Sequence, residues 1–160
     1  MRSLTVAHPG DETLSALISC GRFESLKQLT IYDSISRGPE LLLFALRTLG
    51  STLTDLHIEY GLHHQSKEDC YRLCDVLDAC PNLVSICMVR GDIDMSSVTT
   101  KTYPRLTTLG VHDPHEITRM DQGIISSLLQ HFPQLRVLKL STISGWDTLP
   151  VVDQHCPLLQ

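Results

Sequence analysis

Residues 23–31 read FESLKQLTI, in which a turn is followed by leucines and an isoleucine at fixed spacing. The pattern is a turn residue or proline and then Leu-x-x-Leu/Ile-x-apolar, and it returns in four later stretches: STLTDLHI at 51–58, CPNLVSICM at 80–88, YPRLTTLGV at 103–111 and FPQLRVLKL at 132–140. Residues 1–6, MRSLTV, match the end of a further copy, and residues 156–159, CPLL, match the beginning of another. A recurring unit of this size predicts a repeat array, which offers a long surface to another macromolecule rather than one deep cleft.

The copies are unevenly spaced, with steps of 27, 30, 23, 29 and 24 residues between their first leucines. Those leucines are Leu26, Leu53, Leu83, Leu106, Leu135 and Leu159. Repeats with this leucine pattern usually run roughly 20–29 residues, so one step is slightly long. The uneven steps predict irregular repeats whose extra residues lie in loops.

Alternation within each copy predicts a short strand, with Leu29 and Ile31 on one side and Gln28 and Thr30 on the other. Between copies, apolar residues at helical spacing predict helices, most clearly Cys70, Leu73, Cys74, Leu77 and Cys80 within 67–80, and Ile124, Ile125, Leu128, Leu129 and Phe132. Prolines precede the first strand leucine in four copies, where they end the helix and favour extended backbone before them: Pro81, Pro104, Pro133 and Pro157. Such tight alternation predicts parallel strands on one side of the array and helices on the other.

Composition narrows the classes of function. The 160 residues suit a single domain, and the net charge of −5, without a basic cluster, argues against a nucleic-acid partner. There is no apolar run of about 18 residues and no signal-peptide pattern, so no membrane partner is expected. Four of the six cysteines, Cys70, Cys74, Cys80 and Cys156, fall at positions that should be buried. Reduced core cysteines predict a cytoplasmic or nuclear protein.

A more specific resemblance rests on the cysteines and prolines before the strands. Cys80-Pro81-Asn82-Leu83 and Cys156-Pro157-Leu158-Leu159 follow predicted helices, and residues 121–140, DQGIISSLLQHFPQLRVLKL, run from an acidic turn through a helix into Pro-x-Leu-x-x-Leu-x-Leu. This resembles the cysteine-containing leucine-rich repeat found in F-box proteins. The resemblance covers nearly the whole chain, although the F-box itself is absent from these residues.

The resemblance implies an α/β leucine-rich-repeat solenoid, a segment of a ribonuclease-inhibitor-like horseshoe with parallel strands on its concave side and helices on its convex side. We expect a single array over residues 1–160 with about five to six irregular repeats. Neither end shows the polar cap that a terminal repeat needs, which predicts a segment of a longer solenoid. Where many such repeats carry Asn or Cys after the strand, this chain has Ser34, Gly61, Gly91, Pro114 and Ile143, so turn geometry should vary between repeats.

A competing motif stands near the start. Residues 4–17, LTVAHPGDETLSAL, resemble the AHPDDE signature of zinc-dependent N-acetylglucosaminyl deacetylases, which implies His8 and Asp11 as zinc ligands and His115, within His112-Asp113-Pro114-His115, as a third. However, Gly10 occupies the position of the catalytic base and cannot accept a proton. The simpler interpretation is a strand, a Pro9-Gly10 loop and a helix that starts near Asp11.

Two other groups could bind a metal, but each has a simpler explanation. Cys70 and Cys74 lie four apart near His63-His64, yet Leu73 and Leu77 share the cysteine face and favour core packing. His112 and His115 fit a loop beside a proline. The sequence therefore predicts no catalytic residue, no metal and no cofactor.

The sequence instead favours binding of a protein target by the concave face. The outward strand positions are Gln28, Thr30, Tyr32, Asp55, His57, Glu59, Ser85, Cys87, Val89, Thr108, Gly110, His112, Val137, Lys139 and Ser141. Because interfaces favour Tyr, Trp and Arg as anchors, we predict these partner-binding residues: Tyr32, Asp33, His57, Glu59, Tyr60, Arg90, His112, Asp113, Lys139 and Trp146.

The resemblance implies one concrete version of this function, the substrate-recruiting repeats of an F-box subunit in a cullin-RING ubiquitin ligase. The F-box adaptor and the cullin would then bind a module outside this chain. A stand-alone scaffold or regulator, for example of a small GTPase, is the main alternative, and the deacetylase is a remote one.

Overall fold

The computed structural model describes residues 2–7, 10–20, 23–34, 39–60, 71–89, 93–94, 101–112, 129–140 and 158, and for eight of them the backbone alone: Asp11, Asp33, Ser34, Pro39, Tyr60, Tyr71, Ile93 and Asp94. The elements in chain order are β1 (Ser3–Ala7), α1 (Asp11–Ser19), β2 (Gln28–Ser34), α2 (Pro39–Leu49), β3 (Asp55–Tyr60), β4 (Tyr71–Arg72), α3 (Leu73–Ala79), β5 (Ser85–Val89), β6 (Ile93–Asp94), β7 (Thr108–His112) and β8 (Val137–Leu140).

The main sheet has six strands in the order β1-β2-β3-β5-β7-β8, and every neighbouring pair is parallel. Each of the four interior strands therefore lies between the strands of the preceding and following sequence copies. One row of aligned residues runs Leu4, Leu29, Leu56, Ile86, Leu109 and Leu138. Among these pairings, the register shifts at the end of β2, between Tyr32 and Ser34, where β2 pairs with β3. The prediction of an α/β chain with parallel strands is confirmed.

The core lies between one face of this sheet and the helices. The inward strand residues Leu29, Ile31, Leu56 and Ile58 are at most 3 % exposed and belong to one cluster with residues of α1, α2 and α3. The first leucines of five copies are also buried in that cluster: Leu26, Leu53, Leu83, Leu106 and Leu135. The predicted alternation of inward and outward residues is thus confirmed, and it leaves the opposite face of the sheet uncovered by the three helices.

The same turn precedes five of the strands. In each turn, the amide of the first leucine donates a hydrogen bond to the carbonyl three residues earlier, at 2.9–3.2 Å, for example from Leu26 to Phe23. Pro81, Pro104 and Pro133 occupy the second position of their turns, where the fixed φ of proline is favourable. After each turn, one carbonyl of the preceding copy accepts hydrogen bonds from two successive amides, at 2.8–3.1 Å. The recurring sequence therefore forms a recurring backbone geometry.

Side chains at the third turn position link neighbouring copies. Thr52 Oγ1 donates to the Leu26 carbonyl at 2.7 Å, and Asn82 Nδ2 donates to the Ser51 carbonyl at 2.6 Å. Arg105 Nη1 donates to Asn82 Oδ1 at 2.6 Å, which continues the series into the next copy. These bonds fix the spacing of the turns and hence the alignment of the strands.

The helices differ in part from the prediction. The helix expected within 67–80 begins only at Leu73, because Tyr71 and Arg72 form β4, which pairs in parallel with β6 in a separate two-stranded sheet. Cys74 and Cys80 are buried, as predicted, while Cys70 and Cys156 lie outside the described residues. Of the helix expected at 124–132, only Leu129 onward is described, and Leu129 and Phe132 are buried. The helix expected near Asp11 is present as α1.

Gly50 marks a close approach between α2 and the end of α3. A Cβ at this position would overlap the carbonyl oxygens of Leu46 and Ala79 and would lie 2.6 Å from Cys80 Sγ. Only glycine allows the two helix ends to pack at this separation. None of the helices in the described part of the chain is both long and apolar enough to span a bilayer.

Candidate functional site

The face of the main sheet that points away from the helices is the candidate site, and we call it the outward face. Its described side chains form three rows across the strands: Ser3, Gln28, Asp55, Ser85, Thr108 and Val137; Thr5, Thr30, His57, Cys87, Gly110 and Lys139; and Ala7, Tyr32, Glu59, Val89 and His112. Apart from Gly110, these residues are exposed or half-buried, in contrast to the buried inward residues of the interior strands β2, β3, β5 and β7. Rigid strands hold them in register, so the face is a preformed surface rather than a mobile loop.

The first half of the outward face is aromatic and acidic. Tyr32 on β2 is 42 % exposed, and its ring centroid lies 5.7 Å from that of His57 on β3, with the planes tilted by 56°. This separation and tilt are typical of a favourable aromatic pair. Glu59 lies beside Tyr32 in the register, and Asp55 Oδ2 accepts a 2.7 Å hydrogen bond from Thr54 Oγ1. An exposed tyrosine held by a neighbouring ring suits an interface anchor.

The second half has a floor of small residues beside one cation. Cys87, Gly110 and Lys139 are aligned on β5, β7 and β8. Gly110 is buried, and a Cβ at this position would lie only 3.2 Å from Cys87 Sγ, so the thiol packs closely against the glycine. Partial burial raises the pKa of the Cys87 thiol, while the nearby positive charge of Lys139 opposes that shift. The ammonium of Lys139 is thus close enough to influence Cys87 across the glycine.

The predicted site residues divide into three groups. Tyr32, His57 and Glu59 come together on β2 and β3, and His112 and Lys139 lie on β7 and β8 at the other side of the outward face. Of the remaining five, Asp33 and Tyr60 are described by their backbone alone, as members of β2 and β3, and three lie outside the described residues: Arg90, Asp113 and Trp146. Cys87 and Gly110 lie on the outward face, as predicted, although they are not among the predicted binding residues. Their signal was positional, because both occupy the same place in the repeated phrase as Lys139.

Most residues of the metal-site alternatives lie outside the described part of the chain. His8, His63, His64, Cys70 and His115 lie outside the described residues, and Asp11 is described by its backbone alone. Gly10 directly precedes α1 with φ −78° and ψ 175°, in agreement with a loop that enters a helix. Within the described ranges, no three His, Cys, Asp or Glu residues are grouped closely enough to hold a metal ion.

Cys74 and Cys80 are core residues. Both thiols are buried on the helix side of the sheet. Burial raises the pKa of Cys80 from 9.0 to about 12, so this side chain is a neutral thiol at physiological pH. These two cysteines fill the core rather than form part of the outward face.

Comparison with known proteins gives no family assignment. No model of a known protein family matches this chain, and no curated protein matches its sequence.

Proposed function

We propose that this chain is a leucine-rich-repeat solenoid that recognises a protein target through its outward face and does no chemistry of its own. The proposal is supported chiefly by the pairing of the six parallel strands, which displays three aligned rows of outward side chains. The recurring turns and the recurring leucines support the solenoid in the same way, since each copy repeats its neighbour's contacts.

The outward face has the composition of a recognition surface. It combines exposed Tyr32 with the imidazoles of His57 and His112, and it places carboxylates and Lys139 at separate positions across the strands. Aromatic side chains supply contact area, while separated charges select the partner and fix its orientation. A scaffold that binds in this way needs no nucleophile, base or metal.

The F-box resemblance suggests a concrete version of this function. In that version the outward face holds a substrate of a cullin-RING ubiquitin ligase, and other subunits supply the ubiquitin-loaded enzyme. The contribution of this chain is positional, since it raises the local concentration of the target near that enzyme. The alternative version, a scaffold or regulator that works without a ligase, uses the same face.

Affinity purification of the full-length protein with mass spectrometry tests both levels of the proposal. Three tagged forms are compared: the wild type, a Tyr32→Ala/His57→Ala double variant of the outward face, and a matched control, Phe44→Ala/Arg47→Ala, on the exposed side of α2. We expect partners that are lost only from the outward-face variant, with unchanged circular dichroism in all three. The same partners retained by the outward-face variant would refute recognition by this face.

The identity of the co-purified proteins separates the two versions. An F-box adaptor and a cullin that remain bound to the outward-face variant, while other proteins are lost, would support the ligase and mark the lost proteins as targets. A set of partners without adaptor and cullin would support the scaffold or regulator.

A further inference from the structure

Residues 101–103, which precede β7, are bonded to the helix of an earlier copy. Two of their side chains bind one carboxylate, that of Asp78 near the end of α3. Lys101 Nζ lies 2.7 Å from Asp78 Oδ2, and the Tyr103 hydroxyl donates a hydrogen bond to Asp78 Oδ1 at 2.9 Å. Both oxygens of the carboxylate therefore hold the copy that contains β7 against the copy that contains β5.

The same three residues are also bonded to the following copy. The Tyr103 amide donates to the His131 carbonyl at 2.7 Å. His131 Nδ1 donates to the Lys101 carbonyl at 2.6 Å, because a carbonyl oxygen can only accept. The Tyr103 ring packs on buried Phe132, with the ring centroids 5.8 Å apart. These contacts run without a break from α3 to the turn before β8, and we call Asp78, Lys101, Tyr103, His131 and Phe132 the clamp.

The clamp acts on the less buried end of the described sheet. There β8 pairs with β7 alone, and its inward residues Leu138 and Leu140 are half-buried. By contrast, Leu109 and Val111 of β7 are at most 2 % exposed. Copies of a repeat array contact only their neighbours, so without a further link a strand such as β8 separates from the array before the strand next to it does.

We infer that the clamp makes the copies containing β7 and β8 open and close as one unit, which is attached to the rest of the fold at the Asp78 carboxylate. Separation of β8 alone would displace His131 and Phe132 and so break their contacts with Lys101 and Tyr103. The cost of moving one copy is thereby shared with the other. The unit carries the second half of the outward face, but its opening does not depend on the proposed function.

Amide hydrogen exchange of the full-length protein, measured at rising urea concentrations below the unfolding transition, tests this coupling. The reporters are two pairs of amides: Thr107 and Thr108, which donate to the Val84 carbonyl before β7, and Arg136 and Val137, which donate to the Thr107 carbonyl before β8. We expect both pairs in the wild type to show one opening free energy and one urea dependence. Openings that are tenfold or more frequent at the second pair than at the first would overturn the inference.

Two substitutions weaken the attachment without removing the aromatic contact. Tyr103→Phe removes the hydroxyl and keeps the ring on Phe132, and Asp78→Asn removes the charge from the acceptor. Because the Asp78 side chain is 39 % exposed, we expect a moderate effect, with exchange about fivefold to tenfold faster. The increase should be the same factor at both reporter pairs, since the two copies open together.

Controls separate release of the clamp from a general loss of stability. Asp75→Asn breaks another ion pair of α3, with exposed Arg72 at 3.9 Å, and should leave all reporters unchanged. The amides of Thr54 and Asp55, which donate to the Lys27 carbonyl in the first half of the sheet, should keep their exchange rates in every variant. An unchanged rate in Tyr103→Phe, an increase at one reporter pair alone, or an equal increase at Thr54 and Asp55 would each overturn the inference.

Discussion

The position of a strand in the sheet should determine what its inward leucine contributes to stability. Leu56 on the interior strand β3 is 2 % exposed, whereas Leu4 on the edge strand β1 is only half-buried, although the two occupy the same row of the register. Truncation to alanine removes the same atoms from both sites. The substitutions Leu56→Ala and Leu4→Ala therefore compare an interior strand with an edge strand at constant chemistry.

The expected losses follow from the burial of the two side chains. Replacing a fully buried leucine by alanine removes about 2.4 kcal/mol of transfer free energy, at about 0.8 kcal/mol per methylene, and leaves a cavity that adds to the loss. We expect Leu56→Ala to lower the free energy of unfolding by about 3–4 kcal/mol. Leu4→Ala loses about half of the transfer term and leaves no closed cavity, so about 1 kcal/mol is expected.

Urea unfolding of the full chain, followed by far-ultraviolet circular dichroism, measures both losses. The slope of the free energy against urea should stay constant across the variants, which shows that midpoint shifts report stability. Equal losses for the two substitutions, or a larger loss for Leu4→Ala, would refute the assignment of β1 as an edge strand and of β3 as an interior strand.

Other predictions concern the glycine contact and the buried thiol. Gly50→Val should lower the free energy of unfolding by an amount on the order of 2 kcal/mol or more, as expected for overpacking against a rigid backbone. Gly10→Ala should leave the free energy of unfolding nearly unchanged, because nothing lies within 4 Å of the new Cβ. The urea midpoints of the two variants measure both effects. At pH 8, native Cys80 should react with a thiol reagent roughly a thousandfold more slowly than an unperturbed thiol, because its pKa of about 12 leaves about a thousandfold less thiolate. Exposed Cys20 is the control and should react at once. A fast reaction of Cys80 in the folded protein would contradict its burial. The pKa of Cys80 in the folded protein lies above the unfolded value of 9.0. The stability that the protonated thiol contributes is therefore complete below about pH 9 and is lost as the pH rises towards about 12. The decline of the urea midpoint over that pH range should be smaller in Cys80→Ala than in the wild type.

The sequence was most informative where one pattern recurs. Strict alternation around Leu29 and Leu56 predicted which strand residues are buried, because a strand that packs on one face has a period of two. Cys87, Gly110 and Lys139 also occupy equivalent positions in the repeated phrase, and equivalent positions in successive copies become neighbours across parallel strands.

What the sequence could not predict depends on side-chain reach and on contacts between distant segments. The influence of Lys139 on Cys87 depends on the reach of a long side chain on β8 towards a thiol on β5, which no sequence pattern encodes. The late start of α3 reflects pairing of β4 with β6, two residues in each strand, which is too short to leave a periodic signal. The contact at Gly50 depends on the crossing of two helix ends.

Site-specific photo-crosslinking tests the central claim, recognition by the outward face, most directly. A photoreactive amino acid is placed at Thr30 on the outward face or at Arg47 on α2 in the full-length protein, and covalent adducts are identified after irradiation in cells. Our account predicts a discrete set of protein adducts from position 30 that is absent from position 47. Adducts from position 47 with none from position 30 would contradict it and would move the interface to the helices.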